Sequence, residues 1–397
     1  MKQSTAEQLR AWSGPALFSF GFRPFFLFGS AWVAVAMTVW ILAVSGSFTI
    51  PSRLDPVSWH AHAFLFGYLG AIVAGFLLTA VPNWTGRLPM VGWKLAALFA
   101  LWCLGRVAIF FSAQLPVGVA PVVDLAFPLL LGGFILQEII AGKNWRNLVV
   151  FALLVVFTLA NGIFHFEASR GAYAAQGYGL RLGLGTAIMM ITVIGGRIIP
   201  SFTRNWLAKS ANPARPAPPM QRFDKLALLA SLPVLVTWIL APGASVSAIG
   251  LMAFGVLHTV RIMRWQGHHT LPDPLVWILH LAYLFVPLGA FALSVDVLTG
   301  AHNLAAAQHI WMAGAIGTMT LAVMTRATLG HTGQALHANK ATVVIYLCVL
   351  ASTGARWLSG LFPDLIIATG ILWIAAFAGF VLTYGASLLR PKAAKSQ

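Results

Sequence analysis

Residues 59–81 read WHAHAFLFGYLGAIVAGFLLTAV, and this stretch decides the fold. It holds no Asp, Glu, Lys or Arg and is long enough to cross a hydrocarbon core as one α-helix, which takes about 20 apolar residues. Comparable stretches lie at 25–44, 93–111, 119–140, 147–166 and 178–199, and again at 225–241, 244–264, 274–294, 303–325, 341–358 and 363–388. The expectation is an all-α polytopic membrane protein of about twelve transmembrane helices. Composition agrees: 59% of the 397 residues are hydrophobic and 9% charged, whereas soluble domains carry roughly a quarter.

The formal charge of +16 does not point to nucleic acid, because the basic residues sit in short connections between apolar spans. With the N-terminus inside, the cytoplasmic side collects Lys2, Arg10, Arg87, Lys94, Lys143, Arg146, Arg204, Lys209, Lys340, Lys392 and Lys395 among others. The opposite side keeps Arg53, Arg170, Arg181 and Arg356. This asymmetry is the positive-inside pattern and predicts cytoplasmic termini, with residues 1–24 as a retained lead-in. Residues 1–397 read as a single integral membrane domain, two six-helix halves joined by a Pro-rich loop at 201–222. Cys103 and Cys348 stand alone within spans and read as packing residues.

Trp59, Trp84, Trp93, Trp145, Trp206 and Trp265 fall near span ends, where indole rings settle at the headgroup boundary. Gly67, Gly70 and Gly75 on the second span, and Gly314 and Gly317 on the tenth, allow close helix approach.

Ionisable and ligating groups inside a membrane are costly and mark function. By depth, His60, His62, His165 and His309 form an outer layer; His258, His280 and His331 form a weaker inner one beside Arg197, Arg204, Arg261 and Arg326. The inner arginines serve either to hold an anion or as cytoplasmic anchors. His60 and His62 are separated by about 200° around a helix, so one regular helix cannot turn both into one pocket. Imidazole suits haem iron and copper, and the spans offer few carboxylates for hard cations. Arg106 and Arg181 share the outer layer with Asp124; Arg106 either pairs with Asp124 or meets haem propionates. Glu138 and Glu167, at span ends, are expected to reach water. No chain of carboxylates crosses the membrane, which argues against a proton pump.

The motifs FRPFF (22–26), WHAH (59–62) continuing into LFGY and GFLLTAVPNWTG, NGIFH (161–165), GGRIIPSFTR (195–204), HLAY (280–283), GAIGTMT with the following MTR, and LGHTG (329–333) resemble those of the NnrS family over nearly the whole chain. That resemblance implies a bacterial inner-membrane protein containing haem, expected as b-type, and copper. It would bind or turn over nitric oxide in denitrification or nitrosative stress, drawing on an undefined electron donor. It also implies likeness to haem-copper oxidases, which hold haem through histidines on their second and tenth helices. His62 and His309 are then the expected haem ligands, His60 and His165 further metal ligands, and Arg106 and Arg181 propionate contacts. The oxidases' adjacent histidine pair on the seventh helix is absent from this sequence. Ala63 stands where the family usually has Glu after WHAH, and Gln334 where Arg often follows LGHTG. Two other readings remain open: a cofactor-free anion or small-molecule transporter, and a haem-based sensor without turnover.

Overall fold

A computed structural model describes residues 12–210 and 212–391. Lys2, Arg10, Lys392 and Lys395, on which part of the charge count rests, lie outside the described residues. Among the described residues all regular elements are helical, and twelve helices are long and apolar enough to cross a membrane. They are α1 (Phe22–Val44), α2 (Pro56–Thr85), α3 (Trp93–Phe110), α4 (Val119–Ala141), α5 (Trp145–Ser169), α6 (Tyr178–Lys209), α7 (Arg222–Leu240), α8 (Ser245–Met263), α9 (Pro274–Thr299), α10 (Leu304–Thr332), α11 (Lys340–Leu358) and α12 (Leu365–Leu389). The chain is thus a multi-pass membrane protein by length and composition of its helices.

The chain forms two compact units. The first takes Met1–Gly183, Thr328–Gln334 and Phe377–Gln397; the second takes Leu184–Ala327 and Ala335–Ala376. Residues 201–209, expected in the Pro-rich connection, instead continue α6, and the irregular stretch begins beyond Lys209. Ile199, Pro200, Thr203 and Leu207 are buried along that last stretch. An apolar face buried at helical spacing holds the helix together past Pro200.

Helices α2, α6 and α10 stand apart from the other nine. They are the longest, and each is more than 70% buried in its most apolar window. Each also carries a π-helical segment, at Ala63–Leu69, Ile191–Gly195 and Ile310–Gly317. A π segment widens the turn and disturbs the i→i−4 ladder. Carbonyls in these segments accept side-chain donors: Trp32 Nε1 donates to Ala63 O at 3.1 Å, Trp102 Nε1 to Gly67 O at 3.0 Å, and Arg261 Nη1 to Thr192 O at 2.8 Å. His62 and His309 each end the α-helical turn just before a π segment.

In the first unit, Arg23 at the start of α1 donates to the carbonyls of Leu388 (2.8 Å) and Arg390 (2.7 Å), capping α12 with a cation where its carbonyls run out of partners. Trp59 packs with Ala36, Ile50, Ala63 and Ile109 and is fully buried, as is Trp265 in the second unit. Neither turns its ring outward as a headgroup anchor would, whereas Trp93 and Trp145 are exposed. The difference is rotational: a span end has an inner face as well as an outer one. Glu138 is likewise buried and takes Arg87 Nε at 2.6 Å. That hydrogen bond, with the carboxylate's charge, pushes the Arg87 pKa up. Glu167 accepts from the backbone N–H groups of Tyr178 (2.7 Å) and Gly179 (3.0 Å), completing the N-terminus of α6. Glu138, expected in water, is thus buried, whereas Glu167 is half-buried and also closes a helix end.

Candidate metal centre and a second buried network

Asp124, early on α4, is the centre of the first unit's polar core. Its side chain is 1% exposed. Arg106 of α3, itself buried, donates to Oδ1. The second oxygen, Oδ2, takes three groups at once: Asn161 Nδ2 at 2.7 Å, His165 Nε2 at 2.9 Å and His62 Nε2 at 3.1 Å. A carboxylate only accepts, so both imidazoles present Nε2–H to it. His62 Nε2 also lies 3.1 Å from Asn161 Oδ1. Asn161 and His165 share one face of α5 because four residues make about one turn.

His62, Asp124 and His165 offer ligand atoms that all lie within 4.8 Å of one another, and all three side chains are buried. Two imidazole nitrogens and one carboxylate oxygen suit iron, copper or zinc, and the donor set matches the two-histidine, one-carboxylate sites of non-haem iron proteins. To ligate, each ring must surrender its Nε2 proton, so ion binding exchanges these hydrogen bonds for metal bonds. His62 Nδ1 is buried with no hydrogen-bond partner. An orphaned ring nitrogen beside a donor cluster marks a polar group that the fold itself does not satisfy.

The set fits an ion more closely than a macrocycle. Phe66, Phe164 and His165 lie with ring centroids 5.5, 5.6 and 4.9 Å from the His62 ring, and the Nε2 side is filled by Asp124 and Asn161. His309 has different surroundings: its Nδ1 donates to Ala305 O at 2.6 Å, one turn back on α10. A neutral ring donating from Nδ1 carries its lone pair on Nε2, the arrangement of a metal or haem ligand.

The other expected site residues separate. His60 stacks on Trp40 at 4.5 Å and packs against Phe64, away from the Asp124 cluster, as the angle between positions 60 and 62 requires. Arg106 adopts the Asp124 pairing. Arg181 donates to Gln176 O, just before its own helix, and lies over the ring of Tyr178, the first residue of that helix, at 4.8 Å. His331 belongs to the first unit, packed against Phe20 and Phe22, and it falls inside α10 rather than after it. His309, His258, His280, Arg197 and Arg326 belong to the second unit. Arg326 lies over Phe202 at 4.2 Å, and Arg197 is half-buried on α6.

His258 and His280 join a buried network in the second unit that the sequence signals only in part. Arg261 is fully buried, not a surface anchor, and its Nε donates to Asp224 Oδ1 at 2.7 Å. Its Nη1 donates to Tyr283 Oη at 2.8 Å, which leaves the phenol hydrogen for His258 Nδ1 at 2.8 Å. His258 Nε2–H then meets Ser231 Oγ at 2.9 Å, and Ser231 donates to Ala227 O at 2.7 Å. The direction of every bond follows from Arg261, which can only donate. His280 Nε2 pairs with Thr203 Oγ1 at 2.8 Å. The residues that sequence reading undervalued are Asp124 as a ligand, Asn161, and the Arg261–Tyr283 pair; the motifs NGIFH and HLAY already contained Asn161 and Tyr283.

No curated protein matches the chain. The family model of the NnrS protein matches residues 16–392, nearly its whole length; the chain therefore belongs to the NnrS family, a membership that suggests a membrane protein related to nitric oxide and associated with metal or haem binding.

Proposed function

We propose that this protein handles nitric oxide in the bacterial inner membrane, with both termini cytoplasmic, and protects against nitrosative stress during denitrification. The observation that carries the reading is the His62–Asp124–His165 set, two imidazoles and a carboxylate buried within 4.8 Å of one another in membrane-spanning helices. These residues would hold an iron or copper ion, and His309 would hold a b-type haem. A redox-active centre supplies nitric oxide binding and one-electron exchange when present. The residues around it do the rest. Arg106 turns Asp124 so that Oδ2 faces the histidines, Asn161 holds that oxygen and the His62 nitrogen, and Phe66 and Phe164 keep water from the ring of His62.

A cofactor-free anion path is less well supported, since the buried Arg106 and Arg261 each donate to an aspartate and so present no uncompensated charge to an anion. The test is to purify the full chain from haem-replete cells, quantify iron and copper, and record oxidised and dithionite-reduced spectra. Wild type, His165→Ala, Asp124→Asn and His309→Ala are compared. The reading expects a stoichiometric metal lost in His165→Ala and Asp124→Asn, and a Soret band altered in His309→Ala. Colourless, metal-free wild-type protein overturns it. Nitric oxide consumption with an added electron donor, against binding alone, separates an enzyme from a sensor.

A further inference from the structure

A pocket in the first unit opens directly onto the Asp124 cluster. It is lined from α2, α4 and α5 over residues 66–73, 124–131 and 154–161, with Arg106 at one end. Each run is seven steps long, so the pocket follows the helices for about 10 Å. The room inside it is small, about 10 Å³, on the order of one water-sized molecule. Asp124, Asn161 and Arg106 close the polar end, and Phe66, Phe127, Leu131, Leu154 and Phe157 form a buried apolar wall. Thr158, the other polar lining residue among those described, donates its hydroxyl to Leu154 O at 2.8 Å, so it presents no donor to the space. Gly70, Val73, Pro128 and Thr158 are half-buried at the edge. Leu129, Leu130 and Leu159 beside them are 62, 61 and 58% exposed, which in a spanning helix means contact with lipid tails.

We infer that this shaft admits a small neutral apolar molecule, nitric oxide in the reading above, sideways from the hydrocarbon to the His62–Asp124–His165 cluster. Hydrated ions and charged nitrogen oxides meet an apolar wall that cannot replace their water. A diatomic gas concentrated in lipid loses nothing on entering. The wall ends on Asp124 and Asn161, the same side chains that touch the two histidines, so a molecule travelling the shaft arrives at the candidate ligand atoms and not at an unrelated void.

Gly70 makes the proposal testable without touching a ligand. Its backbone is helical, and a Cβ added there meets nothing within 4 Å, so a larger side chain grows into the shaft without backbone strain. Two measurements on the full chain separate the shaft from the function. Crystals of wild type and Gly70→Leu are pressurised with xenon, a probe that needs neither metal nor nitric oxide chemistry. Xenon beside Gly70 in wild type, and its loss in Gly70→Leu, is the expected result; an ordered acyl or detergent chain filling the site, or no xenon in wild type, overturns the proposal. Stopped-flow nitric oxide association is then compared at equal metal content. A fall of about tenfold in Gly70→Leu, and no fall in Phe64→Leu outside the shaft, is expected. An unchanged rate refutes the shaft while the metal centre stands; absence of metal refutes the functional reading while xenon still judges the shaft.

Discussion

Arg106 and Asp124 form a buried ion pair between α3 and α4, and the pair leaves the second carboxylate oxygen turned toward His62 and His165. An arginine that looks like a cofactor contact is thus the group that orients a ligand. Because the pair is desolvated, its two halves are unequal to remove. Arg106→Met leaves a buried carboxylate without its counter-charge and should cost about 3–5 kcal/mol, while the double variant Arg106→Met/Asp124→Asn, which removes that charge and keeps an acceptor for the histidines, should recover part of it. A double-mutant cycle by thermal unfolding in detergent measures the coupling; simple additivity would contradict the pairing.

Ion retention should follow geometry, not histidine count. Asp124→Asn and His165→Ala are expected to lower metal content at least about tenfold, as even supporting residues of metal sites do. His60→Ala, whose ring stacks on Trp40, should leave it unchanged. Metal analysis of the purified variants decides between this arrangement and one in which His60 ligates.

Tyr283 is the joint of the second unit's network, receiving Arg261 and serving His258. Tyr283→Phe leaves a buried imidazole nitrogen without its donor and should destabilise by about 1–3 kcal/mol. His258→Phe in the Tyr283→Phe background should then add less than it costs alone. Equal costs in both backgrounds would show that the chain of bonds is not coupled.

Gly196 touches the guanidinium of Arg261 so closely that a Cβ would collide with it. Gly196→Ala should therefore lower thermal stability by about 1–3 kcal/mol, the range for overpacking. Gly162→Ala, where a Cβ meets nothing within 4 Å, should be neutral or slightly stabilising, since alanine favours helix. The contrast is read from the two melting curves.

The number and order of the helices were legible in the sequence, because a membrane demands continuous apolar runs and each run declares itself locally. So was the opposition of His60 and His62, and the Arg106–Asp124 pairing stood as one of two readings of that arginine, favoured by the cost of an isolated buried charge. Rotation and distance were not. Whether Trp59 faces lipid or core, whether Glu138 meets water or Arg87, and which histidines converge depend on how each helix turns about its axis. Composition cannot report this in spans that are apolar all round. The π segments after His62 and within α6 depend on tertiary packing too, since indole and guanidinium donors from other helices take up carbonyls there. The sequence by itself determined a twelve-span membrane protein with ligating side chains inside its spans. Only the tertiary structure decided that His62, Asp124 and His165 meet, because an ion site is a set of distances between helices, and one-dimensional spacing carries no such distances.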